Sequence, residues 1–381
     1  MMNSSKGSSL EELVRSYFAL QGYFSIRSVQ FKFEASDVTD IDVWLYSKQT
    51  ASTRLRAIVD VKNKRSPKTF ERILWVKGLQ DILKCDRAII ATTDNNPILS
   101  KFAAENKVSL ISKSFIDRLE KKIDTQDRIS LEEFIEDIQK NLAHKQDGDW
   151  IKIIQETKSA LVSLPGFSAF NKAMFAFKFF ADRAEVRTIY KDQIRACLLT
   201  IASLACIALD SALEELTFEE SQIRFDKIKD GITYGSTDGK FRQSLTMALG
   251  AISESINNGK AIAVHAKERI DEQLSLIRAD LIAEYFVRDI NARQLFNTAM
   301  ELDSIAYSRN PSTKKLSIES KSILGVFCDY LKIKRSVLNF DIEETPTFGA
   351  SSKNSIRREL NESQEYDSSM QRDLPLKSTE N

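Results

Sequence analysis

Apolar residues first recur at helical spacing at Leu10, Leu13, Val14, Tyr17 and Phe18, in a run closed by Gly22. Ser9 is the expected cap, which puts Glu11 and Glu12 in the first turn. The period then drops to two. Val29, Phe31 and Phe33 alternate within a strand expected over 23–33. Asp37-Val38-Thr39-Asp40 reads as a turn, and Ile41-Asp42-Val43-Trp44-Leu45-Tyr46 as the next strand. The pattern continues with a strand over 55–61, a turn at Pro67, a helix over 69–84, a strand over 87–92, a helix over 98–106, a strand over 108–112 and a helix over 114–121. In helix 69–84 the expected apolar stripe is Ile73, Leu74, Val76, Leu79, Ile82 and Leu83. Strands linked through helices predict an α/β unit with a central mixed sheet flanked by helices.

Beyond residue 123 helical periodicity takes over. Helices are expected over 130–143, 149–163, 167–180, 183–215 (one helix or two), 238–258, 260–287, 290–307 and 318–332. Tyr234-Gly235 and Asp238-Gly239 mark a loop or small hairpin near 225–240. The run Phe167, Phe170, Phe175, Phe177, Phe179 and Phe180 favours interhelical packing over a base-stacking platform. From 345 onward periodicity is lost and Ser, Glu, Asn and Gln dominate, as in disordered chains. Three parts result: 1–123, an all-helical 124–344, and a disordered tail 345–381.

The net charge of +1 conceals an asymmetry: residues 1–123 hold 21 Lys+Arg against 14 Asp+Glu, the remainder 34 against 40. A basic first part suits a polyanionic substrate. A negative helical part suits protein contact better than a broad DNA-binding face. The cysteines at 85, 197, 206 and 328 form no ligand cluster or disulfide framework, which fits a reducing cytoplasm. Two histidines make a histidine-based zinc site a poor expectation. The first 25 residues lack a signal-peptide pattern. The most apolar stretch, Ala196 to Leu209, is short for a bilayer and is expected as a buried helix, with no membrane association.

Chemistry enters through the strands. Side chains at i and i+2 share a face, so Asp60 and Lys62 project together, and Asp42 on the neighbouring strand can stand beside Asp60. Two carboxylates and a backbone carbonyl suit Mg²⁺ or Mn²⁺. Lys62 could then orient a water or stabilise charge on a phosphate. An ordinary Lys–Asp pair at an exposed strand end has the same spacing.

The constellation resembles the PD-(D/E)xK nucleases, most closely the Mrr-like restriction endonucleases and Holliday-junction resolvases. The order of elements over 7–115 is similar, and Leu10-Glu11-Glu12-Leu13-Val14 through Gly22-Tyr23 resembles the family's first helix. The resemblance implies a restriction-endonuclease-like domain that hydrolyses DNA with Mg²⁺ or Mn²⁺. It implies catalytic roles for Asp42, Asp60, Lys62 and Glu11. The metal would be held by Asp42, Asp60, the Val61 carbonyl and Glu11, with Glu12 as the alternative to Glu11. The chain departs from the pattern in having Ile41 before Asp42 and Asp60 where most Mrr-like members carry Glu. Lys64, Arg65 and Lys68 are expected to meet phosphates, with Arg72 and Lys77 as weaker candidates. Gln80 resembles a helix glutamine of some members. The implied role is defence against foreign DNA. The alternatives are a structure-specific repair nuclease and an inactive nuclease-like module that binds nucleic acid or protein. A homo-oligomer such as a dimer is implied, with a protein partner open to the helical part.

Overall fold

In the computed structural model of the chain the described residues are 6–338, except 35, 64–67, 124–126, 142–143, 187–188 and 312–313. The expected disordered tail lies outside them. The described residues cluster as one compact unit.

Five strands form one sheet in chain order. β1 (Phe24–Phe33), β2 (Ser36–Lys48) and β3 (Arg54–Lys62) make an antiparallel meander. β4 (Arg87–Thr92) and β5 (Val108–Ile111) join in parallel after helical crossovers. The mixed sheet with flanking helices is the architecture that the change of period predicts, followed by a mostly helical remainder.

Strand parity sorts the two faces. Val43, Leu45, Val59, Val61 and Ile89 pack against α1 (Lys6–Leu20) and α4 (Lys113–Glu120) through Leu10, Val14, Phe18, Ile116 and Leu119. Trp44, Ile58, Ala88 and Ile90 belong to the larger core, together with Ile73, Val76 and Leu79 of α2 (Thr69–Leu83) and Leu99 and Ala103 of α3 (Leu99–Glu105). Trp44 faces Ile58 across the β2–β3 ladder, so Asp42, Asp60 and Lys62 share this second face.

That core crosses residue 123. It takes in α5 (Leu131–Lys140), α6 (Trp150–Ser163), α7 (Gly166–Val186), α8 (Lys191–Ala212), α9 (Ser221–Tyr234) and, beyond them, α12 (Ala279–Phe286), α13 (Asp289–Ala306) and α14 (Ile318–Leu331). Residue 123 therefore marks a change of secondary structure within one core. The central helix is α8, where every residue from Cys197 to Asp210 is buried. It is long and apolar enough for a membrane span, yet 89% of its most apolar window is covered by protein. Phe167, Phe170, Phe177 and Phe180 of α7 are core residues, while Phe175 is 76% exposed. All four cysteines are buried and unpaired by disulfides.

A buried charge fastens α8 to the sheet. Asp210 is fully buried and accepts from Tyr46 Oη at 2.7 Å, Lys48 Nζ at 2.6 Å and Arg54 Nε at 2.6 Å. Just beyond α8, Glu214 accepts from the Arg54 amide at 2.9 Å and from Arg56 at 2.7 Å. These contacts gather at the β2–β3 turn, the opposite end of the strands from Lys62.

Several elements differ from expectation for local reasons. α1 begins at Lys6, so Ser9 lies inside it and its first turn carries no acid; a serine one turn into a helix and a capping serine look alike in sequence. Asp37 to Asp40 belong to β2 rather than to a turn, because Thr39 and Asp40 pair with Phe31 and Gln30 in a long hairpin whose bend holds Glu34 at φ 53. The buried stripe of α2 is narrower than expected: Leu74 and Ile82 are 55% and 65% exposed. The segment near 225–240 is α9 as far as Tyr234, and the expected loop is confined to 235–239, where Gly235 and Gly239 have φ 79 and 70. Gly231 sits inside α9 because an added Cβ would lie 2.5 Å from the Phe167 ring, so the glycine permits close helix packing rather than breaking the helix. The run 183–215 is broken before α8, where Tyr190 has φ 64. The run 260–287 divides into α11 (Gly259–Ser275) and α12, since α12 buries Ala279, Ile282, Ala283 and Phe286 while α11 buries only Gly259 and Ala263.

Candidate functional site

The last paired residues of the β2–β3 ladder are Val43 and Val59. One step beyond, Asp42 and Asp60 stand side by side on diverging strands. The Val61 amide no longer bonds to a backbone carbonyl of β2; it donates to Asp42 Oδ2 at 2.6 Å. The N–H and C=O of one strand residue point to the same side, so the Val61 carbonyl also faces this gap. Lys62 turns the other way along its backbone, its carbonyl accepting from the Thr93 amide at 3.3 Å across the β3–β4 edge.

Lys62 joins the two acids. Its Nζ lies 3.1 Å from Asp42 Oδ2 and 3.1 Å from Asp60 Oδ1. The Asp60 side chain is only 3% exposed, against 19% for Asp42 and 22% for Lys62. This is a largely covered group, unlike the exposed Lys–Asp pair that the same spacing would also allow. Burial raises the Asp42 pKa, and the Lys62 charge and the Val61 amide act to lower it.

Arg72, on the first turns of α2, completes the group. Its Nε donates to Asp60 Oδ2 at 3.1 Å and its Nη2 to Asp60 Oδ1, a two-pronged ion pair that takes both oxygens. The guanidinium also lies over the Trp75 ring, 3.9 Å from its centroid. Spacing alone made Arg72 a weak phosphate candidate. The missing signal was that residues 69–76 fold back over the face carrying Asp60. Thr69, Thr92 and Asp94 form a further polar cluster at the strand ends, with Thr69 Oγ1 donating to Asp94 at 2.9 Å.

The other expected residues are placed elsewhere. α1 packs on the opposite sheet face, and Glu11 is bound to Arg27 at 2.9 Å rather than to the Asp42–Asp60 group. Burial raises the Glu11 pKa, Arg27 pulls it back, and the Asp42 charge raises it further. Glu12 pairs with Arg15 at 2.6 Å and Arg27 at 3.1 Å. Glu132 of α5 holds the same Arg27 at 2.9 Å, so the helical part grips the residue that grips Glu11 and Glu12. Lys68 is exposed and 3.4 Å from Glu71, with φ 48 at the start of α2. Lys64 and Arg65 lie outside the described residues. Lys77 pairs along its own helix with Gln80 and Asp81. Gln80 donates to the carbonyls of Cys85 and Asp86, both at 3.1 Å, and so holds the turn after α2 rather than the site.

Among the described residues no three His, Cys, Asp or Glu side chains gather as a metal cluster. The donors that do meet are two carboxylates and one carbonyl, hard oxygens of the kind Mg²⁺ and Mn²⁺ take. An ion held at Asp60 would meet the Arg72 guanidinium, which occupies both Asp60 oxygens.

Comparison of the chain with protein-family models, with curated proteins and with solved structures found no match.

Proposed function

We propose that the chain is a metal-dependent nuclease that hydrolyses DNA phosphodiester bonds, with defence against foreign DNA as its role. The observation that carries this reading is the single ammonium of Lys62 lying 3.1 Å from both Asp42 and Asp60, beside a Val61 amide that donates to Asp42. Asp42, Asp60 and the Val61 carbonyl would hold Mg²⁺ or Mn²⁺. When bound, the ion supplies charge neutralisation at a phosphate and a lowered pKa for an attached water. Lys62 holds a positive charge where a phosphate oxygen gains negative charge. Lys68, exposed near the start of α2, supplies a backbone-phosphate contact. Glu11 stays on Arg27 and helps set the field at Asp42.

A second reading, an inactive nuclease-like module, draws on the closed Arg72–Asp60 pair. One experiment separates the two. Purified full chain is incubated with plasmid, linear, single-stranded and branched DNA in Mg²⁺ or Mn²⁺, with EDTA controls. The nuclease reading expects cleavage that EDTA abolishes and that Asp60→Ala and Lys62→Ala each reduce by about 10²-fold or more. Intact DNA under every condition supports the inactive module, and cleavage that survives both substitutions removes this site from the chemistry.

A further inference from the structure

We infer that Arg72 is an exchangeable counter-ion: it neutralises Asp60 while the site holds no metal, and moves to a substrate phosphate once a divalent cation takes its place. The inference rests on the nuclease reading and gives it a substrate-contacting residue.

The charge balance supports it. Asp42 and Asp60 face Lys62 and Arg72, two anions against two cations. Adding a divalent ion with Arg72 in place would leave an excess of positive charge at a site where Asp60 is nearly covered. Like charges at such separations repel strongly in a low-dielectric site. Asp60 Oδ1 is shared by Lys62 and Arg72, whereas Oδ2 is held by Arg72, so an ion taking Oδ2 displaces Arg72 and can leave Lys62 in place; of the two cations Arg72 is also the one with somewhere to go. Lys62 is anchored on a strand between the two acids. Arg72 is 26% exposed on a helix, and its guanidinium already rests on Trp75. An aromatic face holds a cation without fixing its in-plane position. The planar fork that matches a carboxylate also matches a phosphate. The displaced group therefore stays beside the site and turns to the anion that the reaction brings.

Trp75 gives the readout. The chain has three tryptophans; Trp44 and Trp150 are 2% and 0% exposed, whereas Trp75 is only partly buried. Mn²⁺ is titrated into the full chain, its Arg72→Gln and Arg72→Ala variants, and Asp60→Asn, followed by calorimetry and by tryptophan fluorescence. Duplex DNA affinity is then measured in Ca²⁺. Wild type should bind Mn²⁺ with a change in Trp75 emission, and Asp60→Asn should not bind. Arg72→Gln should bind Mn²⁺ about tenfold more tightly and DNA about tenfold more weakly than wild type. Arg72→Ala provides the same comparison if the glutamine substitutes its own hydrogen bonds. Equal or weaker Mn²⁺ binding by both Arg72 variants, with Asp60→Asn still deficient, overturns the exchange but leaves the metal site standing. Undiminished DNA affinity overturns the phosphate contact. Absence of Mn²⁺ binding by every protein overturns the exchange and the nuclease reading together.

Discussion

Lys158 of α6 is 3% exposed, and its Nζ donates to the Arg27 carbonyl at 3.3 Å. Burial pulls its pKa down to about 8; Asp303 works to raise it, while Arg27 and Arg128 add to the lowering. The folded chain thus releases this proton before the unfolded chain does. From about pH 8 to the ordinary lysine value of 10.5 the unfolded state binds more protons, so stability gains with rising pH. Below that window the folded state bears the full cost of a buried ammonium. Relative to wild type, Lys158→Met should therefore fare better at neutral pH than at about pH 10.5. The difference should shift by about 3 kcal/mol, the size of the pKa displacement. Denaturant melts of both proteins at the two pH values measure it. A stability difference independent of pH would show that Lys158 is not titrating in the fold. The same residue explains part of what the sequence conceals. Lys158 sits at a helix position that reads as polar surface, and only the arrival of β1 over α6 makes it interior.

At the level of elements, α10 (Lys240–Ser255) and α11 pack on each other, and α10 meets α9 through Phe241 stacked on Tyr234 and Arg242 paired with Asp230. α10 has no buried residue, and Phe241, Met247, Ile262 and Val264 remain exposed on the pair. The hairpin contributes little to the common core. Replacing 240–275 by a short Gly/Ser linker is expected to leave the thermal midpoint within a few degrees of wild type, as read by circular dichroism. A loss of about 10 °C or more would mean that the hairpin stabilises the unit after all. The strands of the site were legible because a period of two fixes which residues share a face. Asp42, Asp60 and Lys62 follow from that rule and one hairpin register. The helices before residue 123 were legible in number, whereas beyond it α9 was read as a loop and the run 260–287 divides into α11 and α12. Gly231 shows its purpose only once Phe167 of α7 occupies the space of its missing Cβ. Arg27 and Arg72 carry no periodic signal at all. Arg27 takes its meaning from Glu132, 105 residues away, and Arg72 from how α2 lies on the sheet.

At the scale of the molecule, the sheet depends on helices beyond residue 123. Trp44, Tyr46 and Ile58 are at most 2% exposed and belong to the core shared with α7, α8 and α13. A fragment ending at 123 would present that face to water. Burial of large apolar side chains contributes roughly 1.5–3 kcal/mol each, enough in aggregate to decide whether a domain folds. The 1–123 fragment is therefore expected to aggregate or remain unfolded, while 1–340 folds. Proton–nitrogen correlation spectra of the two compare them directly, and a dispersed spectrum from 1–123 would show that the sheet is self-sufficient. The change of composition near 123 was visible in sequence; that one core spans it was not, because periodicity reports a face to be covered and not what covers it.

The Asp210 clamp also bears on inheritance. An aspartate fully enclosed by Tyr46, Lys48 and Arg54 is tolerable only while those partners are present. A recombinant that joined this helical part to a different sheet would strand the carboxylate. A different helical part placed on this sheet would strand Arg54. The two halves thus lack the free interchange that makes modules easy to shuffle, and descendants should gain or lose them as a set.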